Sequence, residues 1–181
     1  MSYKKIKSIL FLVLFTISSY CIAQPIKNVK LLNIKEDTIT FTISKDYVLL
    51  SFFAADCGSC IKELKALDIA KDKWLEKFNI QIIGVANKNA VKSTKKLQKF
   101  TTRFNYEIPL FIDVENSLTN YFKDKYKTNE RCFFEYKGSN YASTPQIFIL
   151  DKNGDIVFHK KGYKDGDIQI IESILTELIL Q

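Results

Sequence analysis

Hydrophobic and polar residues alternate in two short segments, 29–34 and 38–43, as they do in strands with one buried face. The polar residues between these segments predict a hairpin turn. Residues 47–55 and 80–86 are instead nearly continuous hydrophobic runs, which are typical of strands covered on both faces. A shorter hydrophobic run at 108–114 predicts a further strand.

Hydrophobic residues recur every three or four positions over residues 59–78, which predicts an amphipathic helix. We expect Trp74 to belong to the apolar face of this helix and to lie in the core. Helical patterns also cover residues 88–104, 116–126 and 167–180. The first helices alternate with the central strands, as crossover connections between parallel strands do.

The chain ends with two strand patterns and the last helix. Residues 145–150 and 155–161 flank the sequence Asp-Lys-Asn-Gly, a good hairpin turn because Asn-Gly tolerates positive φ. The predicted order is therefore β-β-β-α-β-α-β-α-β-β-α. Alternating strands and helices predict an α/β fold with a central mixed β-sheet flanked by helices, here with an extra N-terminal β-hairpin.

Residues 1–23 form a separate segment, in which lysines precede a short hydrophobic run. The small residues Cys21 and Ala23 precede Gln24, as they do at a signal-peptide cleavage site. The run is shorter than the roughly 20 apolar residues that span a membrane. We therefore expect a cleaved signal peptide and a periplasmic or secreted domain over residues 24–181. Lipidation of Cys21 and an uncleaved membrane tether are the alternatives.

Composition and charge exclude several classes of protein. The chain has 181 residues, 46% of them hydrophobic, which is enough for one core. It carries 27 Lys and Arg against 20 Asp and Glu, a formal net charge of +7, and three of the lysines belong to the leader. The other charges are interspersed, which favours a mixed solvated surface over a nucleic-acid partner.

The chain contains four cysteines, and one of them leaves with the leader. Cys57, Cys60 and Cys132 remain. An odd number of cysteines in an exported protein leaves at least one thiol without a partner inside the chain. Three cysteines are also too few for a disulfide-dense scaffold.

The sequence Cys57-Gly58-Ser59-Cys60 lies where a buried strand ends and a helix begins. Backbone N–H groups and the dipole at a helix start favour a thiolate at the first cysteine. The second cysteine, one turn further along, is more covered and can attack a mixed disulfide formed by the first. We predict that Cys57 is the nucleophile and Cys60 the resolving thiol in thiol–disulfide exchange.

Two motifs resemble the thioredoxin-like superfamily. The sequence FFAADCGSC after a buried strand is similar to the thioredoxin motif, and STPQIFILDKNGDIV is similar to the segment in which a cis-proline precedes two strands. The leader and the extra strands resemble the TlpA/ResA-like exported branch. The resemblance implies a thioredoxin-like fold and a thiol–disulfide oxidoreductase. It also implies a cis bond at Pro145, which leaves the backbone of Thr144 free to pair with an extended substrate.

The partners that this resemblance implies are protein thiols or disulfides and a second redox partner, for which a membrane electron donor is the candidate. We expect no prosthetic cofactor and no metal, because the cysteine pair itself carries the electrons. We also expect a monomer. The direction of electron flow stays open, so the protein is either a reductant or an oxidant.

Four positions depart from the family pattern. Asp56 stands where the family often has Trp, and a carboxylate there should disfavour a thiolate at the neighbouring cysteine. Gly58 and Ser59 occupy the pair that often contains Pro. Ser51 stands where thioredoxins carry a buried Asp that helps to deprotonate the second cysteine. The proton acceptor is therefore unassigned, and we expect Ser51 to be a hydrogen-bonded strand residue.

Residues 127–140 are predicted to be an insertion that precedes Pro145 and therefore borders the active site. The segment contains Cys132 next to three aromatic residues, Phe133, Phe134 and Tyr136. We predict that Cys132 is a buried and unreactive thiol, and that the aromatic residues form one wall of the substrate groove. A redox role for Cys132 is the alternative.

The cysteine pair has other interpretations. It could be a structural disulfide in a non-catalytic binding module, or half of a zinc site that Cys132 and His159 complete. A peroxidase role for Cys57 is a further alternative, but no Thr or Arg pattern near it supports one. The single Cys-x-x-Cys and its strand-to-helix setting favour the redox interpretation. We expect His159, in a strand flanked by lysines, to lie on the surface.

Overall fold

A computed structural model describes residues 26, 29–125, 133–136 and 139–180. The predicted leader and Cys132 lie outside the described residues. The predicted boundaries of the leader, of the domain and of the insertion therefore stay predictions.

Nine strands and four helices follow one another in the described part of the chain. The strands are β1 Lys30–Leu32, β2 Thr38–Thr40, β3 Tyr47–Phe53, β4 Ile80–Asn87, β5 Leu110–Asp113, β6 Phe133–Tyr136, β7 Ser139–Ala142, β8 Gln146–Asp151 and β9 Ile156–Lys161. The helices are α1 Gly58–Lys77, α2 Thr94–Phe104, α3 Ser117–Lys125 and α4 Asp167–Leu178.

Seven of the strands form one mixed sheet in the order β2-β1-β5-β4-β3-β8-β9. The central strands β3, β4 and β5 run parallel, whereas β8 and β9 on one side and β1 and β2 on the other are antiparallel to their neighbours. This arrangement confirms the predicted mixed α/β sheet and its N-terminal hairpin. β3 is buried over nearly its whole length, as its continuous hydrophobic run predicted.

The two faces of the sheet carry different cores. Helices α1, α2 and α4 cover one face, where Trp74 is fully buried, as expected, in a cluster that also includes Cys60 and Phe53. Helix α3 covers the other face and contributes Phe122 to a second cluster. Because side chains alternate along a strand, Phe52 and Phe53 of β3 enter opposite cores.

Two local features differ from the sequence prediction. β6 and β7 form a separate two-stranded antiparallel sheet within and beyond the segment predicted to be an insertion. Aromatic residues in both segments favour this extended backbone. Helix α2 begins at Thr94 rather than at residue 88, because the carbonyl of Asn87 accepts hydrogen bonds from Ala90 and Val91 in a turn and Ser93 then caps the helix.

No helix in the described ranges is long and apolar enough to cross a membrane.

Gly84 marks the closest approach between the central strand β4 and its neighbours. A Cβ atom at this position would lie 2.5 Å from Cδ2 of Leu110 and 3.3 Å from Cδ2 of Leu64, which is on α1. Both leucines are buried, so neither side chain can move into solvent. The strand therefore needs glycine here for packing and not for backbone conformation.

We expect Gly84→Ala to lower the free energy of unfolding of the oxidised protein by about 1–3 kcal/mol, because the added methyl group overpacks the core. Gly58→Ala is the matched control, since a Cβ there would meet no described atom within 4 Å. That substitution should raise the stability by less than about 1 kcal/mol. Urea unfolding measures both values. Equal effects of the two substitutions would contradict the packing argument.

Candidate active site

Cys57 caps the N-terminus of α1. Its backbone is extended, with φ −92° and ψ 108°, and its Sγ accepts a hydrogen bond from the backbone N–H of Cys60 at 3.2 Å. The hydroxyl of Ser59 lies 3.4 Å from the same sulfur. These contacts and the helix dipole would hold negative charge on this sulfur in the reduced protein. Cys57 therefore occupies the position that favours a nucleophilic thiolate.

The two predicted redox cysteines are joined by a disulfide, with their Cα atoms 5.2 Å apart. Cys60 is fully buried in the core beneath α1, whereas Cys57 is half-buried at its margin. Cys57 is thus the sulfur that a substrate can approach. Asp56, Gly58 and Ser59 are exposed around it.

The Thr144–Pro145 peptide bond is cis. Pro145 directly precedes β8, whose first residue, Gln146, pairs with Phe52 near the end of β3. Because β3 and β8 are antiparallel, the start of one lies beside the end of the other. The pairing therefore brings Thr144 and Pro145 to the end of the sheet at which β3 finishes and the chain continues to Cys57.

A buried carboxyl group that the sequence analysis missed lies beside the dithiol. Glu63 is only 1% exposed, and one of its oxygens accepts a hydrogen bond of 2.7 Å from the hydroxyl of Ser51. Three residues separate Glu63 from Cys60, so the two side chains occupy the same face of α1, one turn apart. The prediction that Ser51 is a hydrogen-bonded strand residue is confirmed.

Burial raises the pKa of Glu63 from 4.5 to about 7. The hydrogen bond from Ser51 and the positive charge of Lys160 act in the opposite direction, and the negative charge of Asp167 adds to the rise. Loss of hydration is the largest of these effects and decides the direction. Near neutral pH the group therefore exists in both protonation states and can take up or release a proton.

The spacing of buried positions along α1 could have identified Glu63 as a functional residue from the sequence. Positions 60, 63, 64, 67 and 74 are all buried on α1, and they follow the period of a helix. Glu63 is the one charged residue among these five. A charged residue at a core position of a helix is rare unless it is paired or functional.

His159 lies away from the cysteine pair and is half-buried on the outer strand β9 rather than fully exposed. Its ring stacks on Phe148 with centroids 4.2 Å apart, and its Nε2 lies 3.0 Å from Oε1 of Gln146. Phe148 belongs to the core on the other face of the sheet. The structure thus does not bring His159 to Cys57 and Cys60, as the zinc interpretation required. Within the described parts of the chain, no group of three His, Cys, Asp or Glu side chains is placed to hold a metal ion.

Comparison with known proteins agrees with this geometry. Residues 22–159 match the AhpC/TSA family over a region that includes both cysteines, Glu63 and the cis-proline. The chain belongs to the AhpC/TSA family. The predicted membership of the thioredoxin-like superfamily is thereby confirmed.

One relative of this AhpC/TSA protein is a thioredoxin-like protein. Thioredoxin-like protein YneN of Bacillus subtilis (strain 168) is 26% identical over 109 residues, which are 60% of this chain and 52% of YneN. The alignment thus spans about half the length of that relative.

Two solved structures share the fold. One, from Chlorobium tepidum, is described as a thiol:disulfide interchange protein DsbE, with a TM-score of 0.60 at 18% identity, covering 86% of this chain and 97% of the other. The second is the bacterioferritin comigratory protein of Xanthomonas campestris, studied for alkyl peroxide reduction, with a TM-score of 0.64 at 16% identity and coverages of 84% and 92%. At these identities the likeness establishes the thioredoxin-like fold.

The raised pKa of Glu63 makes the stability of the oxidised protein depend on pH. Between pH 4.5 and about 7 the folded state keeps a proton that the unfolded chain has released, so the free energy of unfolding falls as pH rises through this range. Glu63→Gln retains an acceptor for Ser51 but cannot ionise. We expect the variant to gain up to about 3 kcal/mol over the wild type between pH 4.5 and pH 8, at about 1.4 kcal/mol per pKa unit.

Urea unfolding of the oxidised proteins across this pH range tests the prediction. Glu76→Gln, which alters an exposed glutamate on the same helix, is the control and should follow the wild-type profile. Parallel profiles for Glu63→Gln and the wild type would show that Glu63 titrates like an ordinary surface carboxyl group.

Proposed function

We propose that this protein is an exported thiol–disulfide oxidoreductase that exchanges disulfides with protein thiols through Cys57 and Cys60. The observation that carries the proposal is the half-buried sulfur at the start of α1, with a buried sulfur and a buried carboxyl group of pKa about 7 behind it. These are an accessible nucleophile, a resolving thiol and a proton acceptor in one short segment. The AhpC/TSA family membership supports redox chemistry at this site.

The first step forms a mixed disulfide. The Cys57 thiolate attacks one sulfur of a substrate disulfide, so a new bond forms at Cys57 while the substrate S–S bond breaks. The other substrate sulfur leaves as a thiolate and takes a proton from solvent. Hydrogen bonds from the helix start to Sγ of Cys57 favour the attacking thiolate.

The second step resolves the mixed disulfide. Glu63, in its ionised form, takes the proton of the Cys60 thiol, and the Cys60 thiolate then attacks the sulfur of Cys57. The Cys57–Cys60 disulfide forms, and the substrate leaves with both of its sulfurs reduced. In the opposite direction the same steps oxidise a substrate dithiol, and Glu63 returns the proton to Cys60.

We assign substrate binding to Thr144 and Pro145, at this end of the sheet. The backbone of Thr144 would pair with an extended substrate segment, which would place the substrate disulfide over Cys57. Pro145 is itself tied into the fold, because its carbonyl accepts a hydrogen bond of 2.8 Å from the backbone N–H of Gly162.

The biological setting is part of the same proposal. Residues 1–23 direct export, and a separate redox partner, with a membrane electron donor as the candidate, regenerates the cysteine pair. The direction follows from the reduction potential of the pair. A reduction potential of about −270 mV is that of a reductant, and one of about −120 mV is that of an oxidant.

The two cysteines should fail in different ways when each is replaced. Cys57→Ser should abolish disulfide exchange, because the attacking sulfur is lost. Cys60→Ser should accumulate mixed disulfides with protein substrates, since Cys57 still attacks but nothing resolves the product. Insulin reduction measures the first effect, and non-reducing gels with mass spectrometry measure the second. Full activity of Cys57→Ser would rule out the mechanism, whereas a wild-type protein without exchange activity would favour a non-catalytic module.

Asp56 should restrain the reactivity of Cys57. Its carboxylate is one residue from the sulfur, so Asp56→Asn removes a negative charge that disfavours the thiolate. We expect alkylation of Cys57 by iodoacetamide at pH 7 to become about two- to fivefold faster in the reduced protein. Because Asp56 is exposed, 0.5 M salt should reduce the difference.

Mass spectrometry of the labelled peptide separates Cys57 from the other thiols in this experiment. Glu76→Gln, at the far end of the same helix, should leave the rate unchanged. An equal or slower rate in Asp56→Asn would mean that its charge does not act on the sulfur.

A further inference from the structure

A lysine of the outer strand lies in the same cross-strand row as Ser51, the hydrogen-bond partner of Glu63. Ser51 on β3 pairs with Ile147 on β8, and Ile147 pairs with Lys160 on β9. Residues that pair directly across strands point to the same face of a sheet. Lys160 therefore points toward the core beneath α1 and α4, with its Cα two strand spacings, about 10 Å, from that of Ser51.

The ammonium group of Lys160 is held in place. Its Nζ lies 2.7 Å from Oδ2 of Asp167 and donates to the carbonyl of Gly162 at 3.1 Å. Asp167, the first residue of α4, is 5% exposed and also accepts a hydrogen bond from the backbone N–H of Lys164. The lysine side chain is itself largely covered, with 23% of its surface exposed. The cation is thus fixed under the helices and is not a mobile surface charge.

Four elements present polar or charged groups to Glu63. Ser51 of β3 donates a hydrogen bond, Lys160 of β9 acts as the cation, Asp167 of α4 acts as an anion, and Tyr163 lies in the loop between β9 and α4. Lys160 lowers the pKa of Glu63 and Asp167 raises it. The pKa of Tyr163 is raised mainly by its burial, with further contributions from Asp165, Asp167 and Glu63.

We propose that Lys160 is a positioning residue for the thiol–disulfide exchange, and that Asp167 holds its charge where it keeps Glu63 able to ionise when Cys60 must lose its proton. The proposal rests on the proposed function and extends it from the dithiol to the far edge of the sheet. Without the lysine, the buried carboxyl group would keep the hydrogen bond from Ser51 and the repulsion from Asp167 but would lose its cation. It would then stay protonated to higher pH and would accept the proton of Cys60 more slowly near neutral pH.

The residue that follows β9 also contacts Pro145 in the candidate substrate-binding site. Gly162, which accepts the hydrogen bond from Lys160, donates its own N–H to the carbonyl of Pro145. A substitution of Lys160 could therefore disturb substrate binding as well as proton transfer. The test must measure the resolution step separately from binding, and its pH dependence is the property that a purely structural role would not change.

The test follows the resolution step in a single turnover. The reduced protein is mixed with less than one equivalent of 5,5′-dithiobis(2-nitrobenzoate), so that the release of the second thionitrobenzoate reports the attack of Cys60 on modified Cys57. The release is recorded by stopped flow from pH 5.5 to 9. Every protein in the series carries Cys21→Ser and Cys132→Ser, so that only the active-site thiols react.

We expect Lys160→Met to raise the pH midpoint of this step by about one unit and to slow it about five- to tenfold at pH 6.5, with the rates converging at pH 9. Lys160→Arg retains the charge and should keep the wild-type midpoint. Lys161→Met is the matched control, because the neighbouring lysine is exposed and lies on the opposite face of β9. The double variant Lys160→Met/Asp167→Asn leaves no buried anion without its cation, and its midpoint should also rise, by less than in Lys160→Met.

An unchanged midpoint in both Lys160→Met and the double variant would overturn the proposal, and so would a loss of rate that is equal at every pH. If Glu63→Gln kept the wild-type pH profile, the titrating group would not be Glu63 and the role of Lys160 would fall with it. The proposed function fails in a different way, since the wild type itself would then release only one thionitrobenzoate. NMR titration of the Glu63 carboxyl group in the oxidised proteins gives the same midpoints without any turnover.

Discussion

The hydrogen bond between Ser51 and Glu63 joins the central strand of the sheet to the helix that carries both cysteines. Both side chains are almost completely removed from water, so the carboxyl group must either stay protonated or find compensation within the protein. One hydrogen bond and the charge of Lys160 compensate only in part, and the pKa settles at about 7. This balance places a group that titrates near neutral pH one helical turn behind Cys60. A fully compensated carboxylate would hold no proton there, and an uncompensated one would not release it.

Strand pairing fixes which residues lie side by side across the sheet, and in this way it brings the residues of the site together. The antiparallel pairing of β3 with β8 sets Pro145 beside the strand that leads to Cys57, and the pairing of β8 with β9 continues the row to Lys160. Residues 51–63 and residues 144–160, which are distant in sequence, thus meet at one face and one end of the sheet. Gly84 supports this arrangement by letting α1 and β5 pack closely against β4. The chemistry of the dithiol therefore depends on strands that contain no reactive residue.

The two faces of the sheet contain different kinds of residues. The face under α1 and α4 contains the cysteine pair together with Glu63, Lys160 and Asp167. The opposite face is packed with aromatic rings, in which Phe148 stacks on Phe122 and on His159. This separation bears on the choice between redox and zinc chemistry, because the histidine that a zinc site would need lies on the aromatic face. Burial and the positive charge of Lys161 also lower the pKa of His159, which keeps the ring neutral within its stack.

The secondary-structure elements and the position of the dithiol could be predicted from the sequence alone. Hydrophobic periodicity predicts β3, α1, β4 and the C-terminal hairpin, because burial of alternate or helically spaced residues is a local requirement, and Cys57 and Cys60 fall at a strand-to-helix junction that is visible in the order of residues. Which carboxyl group lies one helical turn from Cys60 and against β3 depends instead on tertiary contacts, because Ser51 replaces the acid expected on β3 and Glu63 comes from the facing helix α1. The contribution of Lys160 and the side of the sheet on which His159 lies were likewise decided by strand register. Such interactions join residues that are far apart in the chain, as Glu63 and Asp167 are at a separation of 104 positions, and no local pattern specifies them.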